Sequence, residues 1–510
     1  MSTFTAINPR DGAPVGPEFP EATPADISAA AARAAAAFER WRRVPPKERA
    51  KALRAAANAL ADARDEIIAT VDLEAALGDA RINSELARTI GQLHAFGDLL
   101  DEGAYVEAII DRANPAATPP RPELRRMLQP LGPVAVFTPS NFPLAYGVAG
   151  GDTASALAAG CPVLVKGHPS QPATSELCAR IVRAALAQTA GGADVLQLVH
   201  GRTPDTGRGV VTAPEITAVG FTGSVAAGRA LFDVAAARPE PIPFYGELGS
   251  LNPLFIGPGA LTERGADIAA GLSASISMGA GQFCTKPGLV FVPDSDAGRD
   301  FVTMLAARLD AAPAGVLLNE NIKHLLANKM QATLLVPGSK CATRRDWPPD
   351  RGFHVVPSLF VTDDATFAAF PELREEHFGP VSIVILCAPD RMPALATQLG
   401  GHLTGTVHAA PGDAAWAAPL ADALAQHVGR LIWNGYPTGV TVVPAMQHGG
   451  PYPSSTSSLH SAVGTTAIRR FLRPVAYQNV PDAMLPPELQ AANPMGIERL
   501  VNGRRTYDAL

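Results

Sequence analysis

From residue 131 onward the chain alternates short apolar runs with alanine-rich amphipathic stretches. Residues 131–137, 161–165, 194–199 and 217–221 read as strands, and the stretches 173–190 and 225–237 between them carry apolar positions at helical spacing. Strands separated by helices predict βαβ units and a parallel sheet. A second alternation follows: a strand at 252–256, a helix at 264–277, a strand at 288–292 and a helix at 296–311, with later strands at 381–386 and 429–433. The fold class is therefore α/β, with two such domains. Before residue 131 the pattern is helical. Thr23-Pro24-Ala25-Asp26 joins a capping hydroxyl, a proline for the first turn and an early acid. Pro45-Pro46 breaks that helix, and further helical patterns run from about 60 to 100. Residues 114–122 hold four prolines and read as a connector or exposed arm, because proline donates no backbone hydrogen bond. After Trp433, glycine, proline, serine and threonine dominate and loop is expected.

Composition narrows the functional class. Of 510 residues, 47% are hydrophobic and 18% charged, which supports sizeable cores. The net charge of −6 argues against a nucleic-acid partner. No run is apolar for long enough to span a membrane, and the N-terminus lacks a basic region followed by an apolar stretch. The five cysteines are widely spaced with no C-x-x-C pair, so neither a zinc ribbon nor a dithiol centre is expected. A cytoplasmic protein with reduced thiols and no metal fits best.

Context separates one thiol from the rest. Cys284 stands in Gly279-Ala280-Gly281-Gln282-Phe283-Cys284-Thr285-Lys286-Pro287-Gly288, between a helical segment and a strand, where small residues permit close approach of the backbone. Cys161, Cys178 and Cys387 fall within regular elements and read as packing residues. Glu247 lies between two glycines in Gly246-Glu247-Leu248-Gly249; burial there would suit it to general-base work, and a capping or ion-paired surface acid is the competing reading. Asn141, in Thr138-Pro139-Ser140-Asn141-Phe142-Pro143, follows a strand at the sheet end where ligands bind, so its amide is placed to donate to an oxyanion or to form an Asx turn. Lys166 ends the strand Val163-Leu164-Val165. Gly223-Ser224 ends another strand and opens a helix, offering N–H groups to a pyrophosphate.

Together with Glu375-Glu376-His377-Phe378-Gly379-Pro380, these motifs fall in an order that resembles the aldehyde dehydrogenase superfamily over residues 25–481. The resemblance implies a Rossmann-type cofactor domain from 1–110 and 131–248 with part of 448–480, and an α/β catalytic domain from 249–447. A small oligomerisation arm would come from 111–130 and part of 475–510, with a homodimer or homotetramer as the assembly. It also implies site roles. Cys284 would be the nucleophile, Glu247 the base, and Asn141 with the Cys284 N–H the oxyanion hole. Lys166 and Glu376 would hold the two riboses of the cofactor, Phe378 would pack near the nicotinamide, and Thr138, Pro139, Gly223 and Ser224 would contact the cofactor. Phe142, Phe283 and Tyr436 are candidates for the substrate pocket.

Three further strings resemble the α-ketoglutaric semialdehyde (2,5-dioxovalerate) dehydrogenase group, which also includes long-chain aldehyde enzymes: Asn434-Gly435-Tyr436-Pro437-Thr438-Gly439, His448-Gly449-Gly450-Pro451-Tyr452-Pro453 and Arg470-Phe471-Leu472-Arg473-Pro474. Lys286 departs from the asparagine expected there; its charge either lowers the pKa of the neighbouring thiol or points to solvent. Lys166 is followed by Gly167-His168-Pro169-Ser170 with no acid to repel a 2′-phosphate, so Lys166, His168 and Ser170 favour NADP, with NAD as the alternative. A broad-range or long-chain aldehyde dehydrogenase and a catalytically silent binding or structural relative are the competing functions. In the tail after residue 481, Glu498-Arg499-Leu500-Val501-Asn502-Gly503 reads as a small hairpin with no assigned function.

Overall fold

Thr23 caps the first long helix as its sequence predicts: its hydroxyl accepts from the Asp26 N–H at 3.2 Å, and the Asp26 carboxylate accepts from the Thr23 N–H at 2.9 Å. In this computed structural model, which describes residues 2–344, 346 and 352–510, a hairpin of β1 (Thr3–Ile7) and β2 (Pro14–Pro20) precedes that helix, α1 (Pro24–Trp41). Pro46 sits in the first turn of α2 (Pro46–Asp62), where its missing N–H costs nothing, so the proline pair both separates and starts helices. α3 (Arg64–Ala75) and α4 (Asp79–Glu102) complete the helical layer.

After β3 (Ile109–Asp111) and β4 (Leu124–Pro130) comes the first alternation: β5 (Val134–Phe137), α5 (Gly151–Ala159), β6 (Val163–Lys166), α6 (Pro172–Ala187), β7 (Leu196–Val199), α7 (Pro204–Thr212), β8 (Ala218–Thr222), α8 (Val225–Ala236) and β9 (Phe244–Glu247). These five strands, β5 to β9, form an all-parallel sheet in the order β7-β6-β5-β8-β9. The chain moves outward from β5 to β7, then restarts on the other side of β5. That switch leaves a crevice at the carboxyl ends of β5 and β8, where open α/β sheets take ligands. Val134 and Val136 pack against the helical layer, and Ala135 and Phe137 against the opposite face, so the strand is apolar throughout.

The second alternation comprises β10 (Leu254–Ile256), α9 (Pro258–Ser277), β11 (Leu289–Pro293), α10 (Asp296–Ala311), β12 (Gly315–Val316), α11 (Glu320–Leu335), β13 (Lys340–Cys341), β14 (His354–Val355), β15 (Ser358–Asp363), α12 (Asp364–Ala369), β16 (Val381–Cys387), α13 (Met392–Gln398), β17 (His402–His408), α14 (Ala414–Ala425) and β18 (Val428–Trp433). Its sheet runs β13-β15-β16-β11-β10-β17-β18, antiparallel only at β13.

A third sheet joins strands that precede the first alternation to strands near the end of the chain. β19 (Leu472–Gln478), β4, β3, β20 (Arg499–Val501) and β21 (Arg504–Thr506) lie side by side in that order. The proline-rich connector ends at Pro122, and β4, an interior strand, begins two residues later. The region after Trp433 is mostly loop, as its composition predicts, and the hairpin read near 498–503 is formed by β20 and β21. The β20–β21 turn is Asn502-Gly503, with φ of 46° and 81°, the left-handed pair that a two-residue hairpin loop requires. The tail is not an appendage. Leu485, Leu489 and Ile497 join the core beneath the helical layer, and the buried Arg499 donates to the carbonyls of Gln490, Ala491 and Asp508. No helix among the described residues is long and apolar enough to cross a membrane.

Candidate active site

The turn carrying Cys284 is held by backbone that only small residues tolerate. Gly279, Ala280 and Gly281 have φ of 56°, 53° and 66°, and a Cβ on Gly281 would stand 2.2 Å from the carbonyl of Gly379. The Gln282 amide donates to the carbonyls of Gly279 and Val316, and its oxygen accepts from Leu318 N at 2.9 Å. Asn252 donates from Nδ2 to the carbonyls of Cys284 (2.8 Å) and Lys286 (2.9 Å). Cys284 is partly exposed at the end of this turn. Burial pushes the thiols of Cys161, Cys178 and Cys387 up to about 11, 12 and 12, as expected of packing residues, and Cys341 lies exposed on the edge strand β13.

Three groups converge on the Cys284 turn. Asn141, just past β5, donates from Nδ2 to the Gln282 carbonyl at 2.9 Å. Glu247, the last residue of β9, is 3% exposed, and its Oε1 lies 2.7 Å from His448 Nε2. That same nitrogen is 3.5 Å from Cys284 Sγ. The sulfur, the imidazole and the Glu247 carboxylate present atoms all within 4.8 Å of one another. Burial pushes the Cys284 thiol well above its ordinary range; the charge of Glu247 and its hydrogen bond to the thiol add to this, and the charge of Arg88 opposes it.

An aromatic wall with cations faces the same sulfur. The rings of Phe142 and Phe283 meet edge-on at 5.2 Å, and Tyr146 packs on Phe142 at 5.5 Å. The Arg81 guanidinium lies 4.6 Å from the Phe142 ring and 4.4 Å from the Phe283 ring, and Arg88 lies 5.3 Å from the Tyr146 ring. Both arginines come from α4, seven residues apart and so on one helix face. Between them Glu85 accepts from the N–H groups of Leu144 (2.8 Å) and Ala145 (3.0 Å), fastening α4 to the Asn141 segment. Arg430, at β18, donates to the carbonyls of Pro437 and Gly439. The charges of Arg81, Arg88 and Arg430 all act on Cys284, and the buried Nε atoms of Arg88 and Arg430 have no hydrogen-bond partner. Tyr436 does not join this wall: its hydroxyl donates to the carbonyls of Asp267 and Ile268, and its ring packs on His408, so it braces α9.

The crevice of the first sheet gathers the other polar groups. Lys166, at the end of β6, is lowered to about 8 by burial, against the pull of Glu21. Glu21 is itself paired with Arg202 at 2.9 Å. Burial and the charge of Lys166 push His168 down to about 3, so its imidazole is uncharged at neutral pH. His168 N–H donates to the Thr138 hydroxyl at 2.9 Å, and its Nδ1 accepts from Ser170 N at 3.2 Å; the Ser170 hydroxyl accepts from Asn319. Pro139 follows Thr138 in the same loop. Ser224 caps α8, accepting from Ala227 N at 3.3 Å, and the Gly223 N–H donates to the Glu247 carbonyl. Across the crevice Glu376 accepts from Ser250 N at 3.5 Å, close above Gly249, where a Cβ would stand 2.4 Å from its Oε2; Phe378 is half-buried two residues on. Burial raises the Glu376 carboxyl, and Lys286 pulls it back down. Lys286 is 2% exposed and its ammonium donates to the Val381 carbonyl. It therefore neither points to solvent nor stands among the cations acting on the thiol; it faces Glu376.

The aldehyde dehydrogenase family profile matches residues 1–474. The chain belongs to the aldehyde dehydrogenase family. It is 42% identical over 505 residues to alpha-ketoglutaric semialdehyde dehydrogenase 2 of Azospirillum brasilense, covering 98% of this chain and 96% of that one. It is 40% identical over 511 residues to alpha-ketoglutaric semialdehyde dehydrogenase of Acinetobacter baylyi, covering 99% and 96%. Among solved structures, lactaldehyde dehydrogenase of Escherichia coli superposes with a TM-score of 0.80 at 20% identity, covering 94% of this chain and 95% of that one. An aldehyde dehydrogenase C mutant of Pseudomonas syringae, solved with NAD+ and octanal, gives 0.78 at 22% identity, covering 94% and 93%. This member of the family is accordingly an NAD(P)-dependent aldehyde dehydrogenase, oxidising an aldehyde to a carboxylic acid. The polar crevice fits a nicotinamide dinucleotide: a lysine and neutral donors at the ends of β5 and β6, a capped helix N-terminus after β8, and a carboxylate over Gly249.

His448, Arg81, Arg88, Arg430 and Asn252 are not apparent from their local sequence. His448 belongs to the His448-Gly449-Gly450-Pro451 string and Arg81 and Arg88 are spaced by seven residues, but nothing local ties any of them to Cys284.

Proposed function

We propose that this aldehyde dehydrogenase oxidises α-ketoglutaric semialdehyde (2,5-dioxopentanoate) to 2-oxoglutarate. The observation that carries the reading is the set of three arginines around the aromatic wall in front of Cys284. The substrate has an aldehyde at one end and a carboxylate beside a ketone at the other. With the aldehyde at Cys284, the carboxylate falls among guanidiniums whose forked donors suit it. A long-chain aldehyde would leave those buried cations facing methylenes, at a desolvation cost with no return. Two relatives at 42% and 40% identity bear this substrate in their names.

Cys284 acts as the nucleophile, its thiolate adding to the aldehyde carbonyl. The second N–H of the Asn141 amide and the Cys284 backbone N–H take the oxyanion. When bound, the nicotinamide supplies the hydride acceptor that turns the adduct into a thioester. Glu247 then takes a proton from water and directs it at the thioester. Lys166 and Glu376 hold the riboses, Gly223-Ser224 the pyrophosphate, and Phe378 the nicotinamide side. NADP is the preferred cofactor: no acid follows Lys166 closely, and Arg202 offsets Glu21, so the subsite keeps a positive balance for a 2′-phosphate. His168 contributes a neutral donor there. The enzyme works in the cytoplasm as a homodimer or homotetramer.

Specificity constants for α-ketoglutaric semialdehyde and hexanal test the substrate. The semialdehyde is expected to win by at least about 100-fold, the value of one or two charge-assisted hydrogen bonds. Equal constants would make this a broad-range enzyme. The same assay with NAD and NADP decides the cofactor, and a preference for NAD would sink the 2′-phosphate argument.

A further inference from the structure

We propose that His448 is a catalytic hydrogen-bond donor that switches its Nε2 proton between the Glu247 carboxylate and the Cys284 thiolate. The inference rests on Cys284 being the nucleophile and adds a residue to its machinery.

A carboxyl oxygen and an imidazole nitrogen 2.7 Å apart share one proton between them, and with the carboxyl oxygen as acceptor that proton is the Nε2–H. The sulfur is the other neighbour of that nitrogen, at 3.5 Å. The backbone of the residue is anchored: His448 N–H donates to the Ser461 hydroxyl at 3.0 Å and its carbonyl accepts from Ala462 N at 2.8 Å, while the Tyr146 ring lies tilted to the imidazole with centroids 6.4 Å apart. Its side chain is 1% exposed, so water does not compete for the donor.

The sulfur needs that donor. Burial and the charges of Glu247 and Glu376 oppose ionisation of Cys284, and the arginines whose charge favours it make their hydrogen bonds to other acceptors. Arg81 donates to the Asn141 carbonyl, Arg430 to the carbonyls of Pro437 and Gly439, and Arg88 to the Tyr146 hydroxyl. They lend charge but no hydrogen bond.

The step balances within the trio. The Sγ–H bond breaks, its electron pair stays on sulfur, and the proton forms an O–H bond on Glu247. Glu247 is then neutral and no longer the better acceptor, so Nε2–H turns to the thiolate. Once the sulfur is acylated it bears no charge; Glu247 releases its proton to solvent, recovers the Nε2–H bond and serves as base towards water. One donor thus follows the negative charge through both half-reactions.

His448→Phe keeps a flat ring and removes the donor; His448→Gln keeps an N–H. Alkylation of Cys284 by iodoacetamide, followed on its own peptide across pH, reads the thiolate directly. For His448→Phe the profile is expected to move up by at least about one pH unit, and the pre-steady-state burst of reduced cofactor to slow at least about tenfold, with His448→Gln restoring part of both. A purely structural histidine would lower the melting temperature and leave the profile in place; a His448→Phe profile superimposed on wild type overturns the proposal. Should that variant not fold, His448→Met is held to the same criterion. Cys284→Ala separates the two readings: retained turnover there would refute the nucleophile assignment itself.

Discussion

Glu247 touches both the imidazole of His448 and the surroundings of the sulfur, so its replacement divides the two half-reactions. Glu247→Gln removes the acceptor of the Cys284 proton, a loss offset in part because an anion that holds the thiol up goes with it, and it leaves water with no base, so hydrolysis of the thioester slows more than acylation. A burst of reduced cofactor should persist, with steady-state turnover down by about 10²–10⁴-fold. Rapid-mixing absorbance measures both, and undiminished turnover would remove Glu247 as the base. Arg88→Leu acts at the far end of the pocket. Because the Arg88 charge also favours the Cys284 thiolate, both substrates should lose rate, but KM for the 2-oxo acid semialdehyde should rise by roughly tenfold or more relative to hexanal, about the value of one hydrogen bond to a charged group; equal effects on both substrates would mean that Arg88 acts on the thiol or packs rather than recognises. These residues also mark what could be read in advance. Cys284, Glu247, Asn141 and Lys166 each stand in a local string of glycines or at a strand end, so the sequence alone carries the signal. His448 acquires its partners only by folding: it is 164 residues from Cys284 and 201 from Glu247. The place of Tyr436 is likewise set by folding, since its neighbours in the chain give no hint that α9 claims its hydroxyl.

At the scale of elements, the Cys284 turn and the segment 376–382 are laced together. The Ser382 hydroxyl donates to the Pro287 carbonyl at 2.6 Å, Ile383 N to the Gly288 carbonyl at 2.9 Å, and the Lys286 ammonium to that of Val381. Lys286 thereby sets the charge of Glu376. Burial raises the Glu376 pKa and Lys286 lowers it, so the carboxylate is present above its pKa and is lost as pH falls. In Lys286→Met that loss should begin at a higher pH. Cofactor KM followed across pH checks this, with rising KM on the acid side appearing earlier in the variant; coincident profiles would reject the coupling. The parallel strands were legible because burial on both faces makes them continuous apolar runs. β4 was obscured by the prolines just before it, and the tail strands by their brevity. That tail is open to test. Removing residues 482–510 strips Leu485, Leu489 and Ile497 from the core and leaves Arg125 without Asp482. At about 1.5–3 kcal/mol per buried apolar side chain, the urea midpoint should fall markedly; an unchanged midpoint would make the tail dispensable to the fold.

For the whole molecule, the site is a meeting of separate bodies: Asn141 and Glu247 from the first sheet, Cys284 from the second, His448 from the returning C-terminal segment and Arg81 and Arg88 from the N-terminal helices. None of these bodies holds a complete set, so catalysis depends on their alignment to within a hydrogen-bond length. The third sheet bears on how that alignment is kept. On one side it ends in the tail hairpin. On the other it ends in β19, which pairs with β4 through all seven of its residues and leaves its outer edge open. An open edge of that length is a template for another strand, blunted here by Pro474 and Arg473 but not closed. A second copy of the chain, presenting its own sheet, is the occupant that the family resemblance implies. Light scattering on the purified enzyme should therefore return two or four chains per particle, and specific activity should fall on dilution as the particles dissociate. A monomer with full specific activity at every concentration would show that the arm completes nothing in the neighbouring subunit, and that the alignment of Asn141, Cys284 and His448 is secured within one chain.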